Sequence, residues 1–579
     1  MPLELSEQAA LYRSMTADKV VVVFADDAES VAQVRPLLPA SPRSALVTTS
    51  RRRLGALSMD GARFVPVDAL DEPAAVELIR HVVGGPKADA EPEPTRALVR
   101  LCGGLPIALR IAAARLLSRP SWSIARVVAT LTDERRRLVS LAVPGQTSVR
   151  ASLDLSYAEL QPEAARLYRY LGLHPGPEFG LQAAAAVADL HADDADDLAE
   201  ELVDVSLVDE ISDHRFRLHD LVRLHAWQRA EEDDDRAELV AAERRVITWY
   251  LDRAVAADLV VVPHRRRVCS RYDAARHEPP AFSTTTAALD WLEAELPNFL
   301  AAQRRAADRE WWSLAWQLCE AMWGLFLYRK HFEHWIPAHE LGVEAARRCE
   351  DQAAHARLSV QLGFAYLNLH HHDEARLHFA DALAVSRAAR DMHGEATALE
   401  HLGLAARGSG QLQVAMDHFV QALEITERLG ADRGIALHQR RIGETLADLG
   451  RDDEAVHYLR RAVETATELG DRVLRARALT RLGSAQVRLG HVAEARGQLA
   501  ESVRVLWESG SVQYHAEALE ALSELYLRTG EHALAHEQLV HALYLYRASG
   551  LPQAAHVQER LACLGSPRPP RPRRAESRE

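Results

Sequence analysis

A block of forty residues recurs through the second half of this 579-residue chain. Small residues stand at Gly363, Gly403, Gly443 and Gly483, with Ser523 next in register. A second column reads Ala375, Ala415, Ala455, Ala495 and Ala535, and a third reads Gly410, Gly450, Gly490 and Gly530. Three columns sharing one period define a repeat array, and arrays present surfaces more often than they carry out chemistry.

Each unit reads as a helical hairpin: Leu482-Gly483 to Leu489, a turn at Gly490, then Glu494 to Leu506 and a second break at Gly510. Gly or Ala lets two helix axes approach closely, while Phe379, Phe419, Leu459, Leu499 and Leu539 fill the adjoining gap. A single hairpin cannot bury its apolar face, so neighbours must stack. The pattern of Leu-Gly in the first helix and Ala455, Leu459 and Ala462 in the second resembles the tetratricopeptide repeat over about 315–552. This unit is longer than the common one of about 34 residues. The earliest unit puts Trp323 in the glycine column and Trp335 in the alanine column, which suits a junction or cap. A sixth helical pair is expected to end near Gly550. The Pro/Arg-rich segment Ser566 to Glu579 is expected to be disordered, with Arg571, Arg573 and Arg574 either an anion-binding tail or a solvated terminus.

Composition narrows the class. A content of 48% hydrophobic residues is ample for buried cores, and the length implies three or four domains. The net charge of -14 argues against a broad basic face that coats nucleic acid. Cys102, Cys269, Cys319, Cys349 and Cys563 are scattered without C-x-x-C spacing, as isolated thiols in a reducing cytoplasm would be. Neither a leader nor a run of about eighteen apolar residues is present, so secretion and membrane insertion are not expected.

The first half has a different texture. Lys19 to Ala28 is an apolar run ending in Asp26 and Asp27, the pattern of a buried parallel strand with carboxylates at its C-terminal tip. A helix is expected through Arg35, then a strand over Ser44–Arg51 that delivers hydroxyls and an arginine to the same edge, and a third strand over Phe64 to Val67. Cys102-Gly103-Gly104-Leu105-Pro106 places a break and a proline at the opening of a helix that runs to about Leu117.

In this order the pieces resemble the NB-ARC subclass of STAND signalling ATPases, above all the bacterial antibiotic-regulator type built as nucleotide domain, winged helix and tetratricopeptide array. Ser152-Leu153-Asp154-Leu155-Ser156-Tyr157, followed by Leu167 to Pro175, looks like the opening of that family's winged helix. Arg215 to Leu221 looks like its Met-His-Asp motif with Leu218 in place of Met. The resemblance spans about 5–552. It implies a mostly α fold: a partial α/β nucleotide-binding-type domain, a winged helix, then an α-solenoid. It also assigns Asp26 to the Walker B carboxylate that holds Mg²⁺, with Asp27 beside it, and Arg51 to the sensing of the terminal phosphate. Pro106 would pack on the adenine, and His219 would reach the β-phosphate of ADP.

One part of that pattern is missing. A phosphate cradle needs G-x-x-x-x-G-K-[ST], because backbone N–H groups and the lysine ammonium together neutralise the phosphates. The only lysines are Lys19, Lys87 and Lys330, and none follows glycine. The alternatives are a recorded chain that starts late or a natural remnant without its cradle. Without several charge-assisted hydrogen bonds, each worth about 1.5–3 kcal/mol, ADP or ATP binding as written is weak, and ATPase activity is not expected.

Each assigned residue also has a plainer reading. Asp26 and Asp27 could cap a turn, Arg51-Arg52-Arg53 could be a solvated turn, Pro106 is good helix-start chemistry, and His219 could be a neutral imidazole on backbone. His370-His371-His372 and His331, His334 and His339 lack the convergence a metal needs. The aromatics from Trp311 to Trp335 have the spacing of core. The winged helix, about 147–230, carries Arg223, His225 and Arg229 on its last helix but runs into Glu231 to Asp235, which repels DNA phosphates. His264-Arg265-Arg266-Arg267 reads as a basic surface loop.

The expected domains are 1–85, a partial α/β core; 86–144, a helical subdomain; 145–232, the winged helix; 233–314, a helical linker; 315–565, the solenoid; and 566–579, the tail. The expectation is a cytoplasmic regulatory scaffold that binds a protein, peptide or small effector through the array, with neither a catalytic residue nor direct DNA contact. The alternative is an ADP/ATP-binding STAND switch that regulates transcription.

Overall fold

The computed structural model describes residues 4–133, 137–138, 141, 149–263, 265–549, 551 and 553–565. His264, Gly550 and the tail from Ser566 to Glu579 lie outside the described residues. The chain forms two compact units, one of residues 1–265 with 271–325, the other of 266–270 with 326–579.

In the first unit, strands β1 (Val22–Ala25) and β2 (Ala45–Thr48) pair in parallel, Val22 opposite Ala45. One face covers a small core of Ala28, Val34, Leu54 and Leu57. The other is open: Val22 is 74% and Phe24 62% exposed. The expectation of a buried strand therefore holds for one face only, because parallel strands are buried on both sides only when both are covered. The third strand expected over Phe64 to Val67 does not form. Among the described residues that segment has no ladder partner, and Phe64, Val65 and Val67 stand exposed.

Helix α1 (Pro106–Ser118) opens on its proline, as the sequence implies, and buries Leu109, Ala112 and Leu116 against Ile79 and Leu98. Gly104 needs its glycine twice over: its φ is +67°, and an added Cβ would lie 2.4 Å from the Leu70 carbonyl oxygen.

A winged-helix arrangement follows: helices α2 (Val149–Ala158), α3 (Pro162–Leu171) and α4 (Ala192–Asp204), with strands β3 (Glu178–Gly180), β4 (Asp209–Ser212) and β5 (Arg215–Arg217). The sheet is antiparallel in the order β3-β5-β4, and helix α5 (Asp220–Asp233) leaves it. His174 is buried here, its ring nitrogens meeting the Tyr250 hydroxyl at 2.9 Å and the Gly176 backbone at 3.2 Å. Burial pushes its pKa down to about 3. A histidine depressed in the folded state takes up its proton on unfolding, so stability is complete above the unfolded pKa of about 6.5 and is lost as pH falls below it. We expect the wild type to lose about 2 kcal/mol between pH 7 and pH 5 through this group, and His174→Gln to flatten the slope in urea titrations.

Helices α6 (Arg236–Val261) and α7 (Trp312–Ala321) belong to the same unit. Between them lies a correction to the basic-loop expectation. Arg265 is buried, not displayed, and its guanidinium meets Asp258 at 2.9 Å and Glu320 at 3.4 Å. Arg266 pairs with Asp391 at 3.1 Å in the second unit.

The second unit is the repeat array. Its helices alternate as α8 (Gln352–Asn368), α9 (His372–Ala388), α10 (Met392–Gly408), α11 (Leu412–Leu429), α12 (Asp432–Asp448) and α13 (Asp452–Glu468). It continues as α14 (Arg472–Leu489), α15 (Val492–Glu508), α16 (Val512–Arg528) and α17 (His532–Ala548). The small column faces the large one, as the spacing implies. A Cβ added at Gly403 would lie 2.5 Å from Phe419, and one at Gly443 or Gly483 would lie 2.6 Å from Leu459 or Leu499. Turns fall every twenty residues on left-handed backbone, with Glu350, His370 and Arg390 taking the place that Gly410 to Gly530 hold later. The early units therefore keep the fold without the glycine signature. Trp335 and Phe326 are buried and stacked at 5.8 Å, which makes them core.

Candidate functional site

The carboxylates expected at the strand edge lie where the sequence places them. Asp27, just past β1, has a φ of 54°, a conformation Asp tolerates better than most residues. The Thr49 hydroxyl donates to Asp26 Oδ1 and accepts the Asp27 N–H at 2.9 Å. Arg51 reaches back so that Nε and Nη2 donate to the Asp27 carboxylate at 3.0 and 3.4 Å. That hydrogen bond is the main reason its pKa is raised. The Ser206 hydroxyl donates to the Arg51 carbonyl at 2.7 Å, fixing the edge against the end of α4.

Three of the five expected residues thus come together. Pro106 is placed by the start of α1, and His219 precedes α5 with its Nε2 3.4 Å from Asp209 Oδ2. The residues present do not by themselves fit a nucleotide with Mg²⁺. Asp26 and Asp27 are already engaged by Thr49 and Arg51, and none of the three lysines follows a glycine. What remains is an exposed ion pair at a strand edge.

The last winged-helix segment holds its charge locally. Arg223 lies 3.9 Å from Asp220, and Arg229 lies 2.9 Å from Asp233. His225 is buried between the Tyr168 hydroxyl at 2.8 Å and Asp154 at 3.0 Å, and burial lowers its pKa. Among the described residues there is no group of three His, Cys, Asp or Glu placed to hold a metal ion. Nor, among them, is any helix long and apolar enough to cross a membrane.

A second arrangement was not anticipated from the sequence. The first helices of successive pairs, α10, α12, α14 and α16, share a layer of buried charge. Glu444 is its centre: Arg407 donates to it at 2.9 Å, Arg441 and Arg481 lie at 3.4 Å, and Arg440 is hydrogen-bonded to it one turn away. The layer continues outward through Arg407 to Asp448 and Arg481 to Glu517, both at 2.6 Å, and through Arg441 to Glu400 at 3.5 Å. Arg477 stacks over Tyr514 at 3.8 Å. Burial opposes ionisation of Glu444, yet the guanidiniums of Arg440, Arg481, Arg441 and Arg407 overcome it and hold the carboxyl well below its usual range. The signal was present as the column Gln361, His401, Arg441, Arg481, two residues ahead of the small column.

Several known proteins are similar to this chain. The tetratricopeptide repeat family matches residues 354–428 and 433–506. Regulatory protein AfsR of Streptomyces coelicolor is 34% identical over 456 residues, covering 71% of this chain and 46% of that protein. Regulatory protein AfsR of Streptomyces griseus is 36% identical over 409 residues, covering 70% of this chain and 41% of that protein. The chain therefore spans a little under half the length of these relatives. Among solved structures, a STAND protein with a tetratricopeptide repeat sensor from Pyrococcus horikoshii covers 96% of this chain and 82% of its own. Its identity is 14% and its TM-score 0.36.

Proposed function

We propose, from the premise that this chain is a tetratricopeptide-repeat relative of the AfsR-type regulators, that it is a regulatory protein whose array binds a protein or peptide partner. The observation that carries this reading is the charged first-helix layer around Glu444, where guanidiniums and carboxylates from successive helical pairs converge and reach solvent at Arg407 and Arg481. Curved helical arrays offer such layers to extended or helical segments. In this reading the protein acts in the cytoplasm, has no catalytic residue, and leaves DNA contact to other proteins.

The test is photo-cross-linking in the native host. With a photoreactive phenylalanine at Phe364, on first helix α8, a discrete polypeptide adduct is expected. Placement at Leu377, which is 64% exposed on second helix α9, is expected to give none. Adducts only from Leu377, or from neither site, contradict the reading.

A second reading is favoured by the open apolar face of β1 and β2, where Val22 and Phe24 have no cover. There the α/β part would belong to a larger sheet, and the protein would be an ADP/ATP switch that regulates transcription, with Asp26 holding Mg²⁺. It predicts that Mg-ADP raises the melting temperature of the purified chain, whereas the first reading predicts no change.

A further inference from the structure

The buried layer holds one guanidinium that its neighbours leave half used. Arg440 is 2% exposed on α12. Its Nη1 is hydrogen-bonded to Glu444, while Nε and Nη2 are buried and meet no hydrogen-bond partner among the described residues. Those two atoms form one edge of the guanidinium plane, the edge that grips a carboxylate or phosphate with two parallel bonds. The same edge of Arg169 holds Asp234 in this protein. Leaving such donors dry is costly, so the edge calls for an acceptor.

The local charge agrees. The layer brings together five guanidiniums, Arg407, Arg440, Arg441, Arg477 and Arg481, and four carboxylates, Glu400, Glu444, Asp448 and Glu517. Each of these carboxylates already has an arginine, and among these nine described residues the guanidiniums outnumber the carboxylates by one. Burial and the neighbouring Arg441, Arg477 and Arg481 press the pKa of Arg440 down, whereas Glu444 supports its charge. An added anion would relieve that repulsion. The layer meets solvent at its rim, where the Arg481 side chain is 39% and that of Arg407 25% exposed, so an anion reaches the Arg440 edge by displacing these two side chains.

We propose that the Nε–Nη2 edge of Arg440 is a binding point for an oxyanion, a carboxylate or phosphate group carried by the ligand of the array. The inference rests on the reading that the array is a binding surface, and it names the group recognised there. The anion docks on the floor formed by Arg440, flanked by Arg441 and Arg481, and completes the charge balance of the layer.

The experiment uses the full chain, with melting temperature measured against inorganic phosphate, acetate and a hexaglutamate peptide at constant ionic strength. The wild type is expected to show a saturable rise, and the probe that saturates lowest distinguishes a phosphate from a carboxylate source. Arg440→Met is expected to melt no lower than the wild type without anion, because it removes a buried charge crowded by Arg441, Arg477 and Arg481 while Arg407, Arg441 and Arg481 still pair with Glu444, and to show no anion-dependent rise. Arg440→Lys, which keeps the charge without the two-pronged edge, is expected to bind at least tenfold more weakly. Absence of any rise in the wild type, or an unchanged rise in Arg440→Met, overturns the proposal. If Arg440→Met melts lower and refolds poorly, Arg440→Lys decides, and unchanged affinity there also overturns it. A Phe364 cross-link that persists in a chain indifferent to all three anions defeats this inference alone. Loss of that cross-link in the wild type defeats the reading beneath it.

Discussion

Arg265→Met is expected to destabilise the first unit by about 3–5 kcal/mol, because it removes the guanidinium that pairs with two buried carboxylates. Asp258 is fully buried and Glu320 nearly so, and Arg265 is the guanidinium that joins them. Asp258 Oδ1 also accepts the Gly324 N–H at 3.1 Å, so the loss reaches the backbone at the end of the unit. Urea unfolding followed by tryptophan fluorescence reads the change. Replacing all three by apolar residues, Arg265→Met with Asp258→Leu and Glu320→Leu, is expected to recover much of the loss, since the cost comes from unpaired charge and not from the missing ion pair as such. A triple variant as unstable as the single one would show that geometry, not charge, is what matters there.

Phe419→Ala is expected to cost about 3–5 kcal/mol, the range for emptying a buried aromatic site. Its ring is fully buried and fills the gap opposite Gly403. It also belongs to a core shared with Ile442, Leu446 and Leu459 of the next unit. Repeat arrays are stabilised by nearest-neighbour interfaces, so the damage should spread into adjacent pairs and fade with distance. Hydrogen exchange is expected to show lost protection in α10 to α13 and near-normal protection in α16 and α17. Uniform loss across all pairs would mean that the array unfolds as one body.

Much of this protein is legible in its residues because repetition multiplies a weak signal. The Gly403 column and the Phe419 column are forty residues apart within themselves, and the steric demand that links them is local to one hairpin. The paired strands β1 and β2 are equally readable, since apolar runs ending in polar residues have few other uses. Phe64 to Val67 has the same composition but no strand beside it, and composition says nothing about the availability of a partner. The basic run at Arg265 and Arg266 misleads for a related reason. Its carboxylates, Glu320 and Asp391, stand 55 and 125 residues away in sequence. The layer around Glu444 was hidden because its pairs cross from helix to helix, Arg407 to Glu444 and Arg481 to Glu517, at separations that no single hairpin contains. Of the expected site, Asp26, Asp27 and Arg51 were readable as neighbours on one sheet edge. That they satisfy one another through Thr49 and a direct ion pair was not.

The central claim is that the charged layer of the array, and not the carboxylate edge of the small sheet, is the working surface. Transcript profiling in the native host tests it directly, comparing a deletion strain complemented with the wild type, with Arg441→Gln/Arg481→Gln, or with Asp26→Ala/Asp27→Ala, each checked for wild-type melting. The account predicts that the array variant leaves the deletion profile in place while the strand-edge variant restores the wild-type profile. Restoration by the array variant together with failure of the strand-edge variant would contradict it.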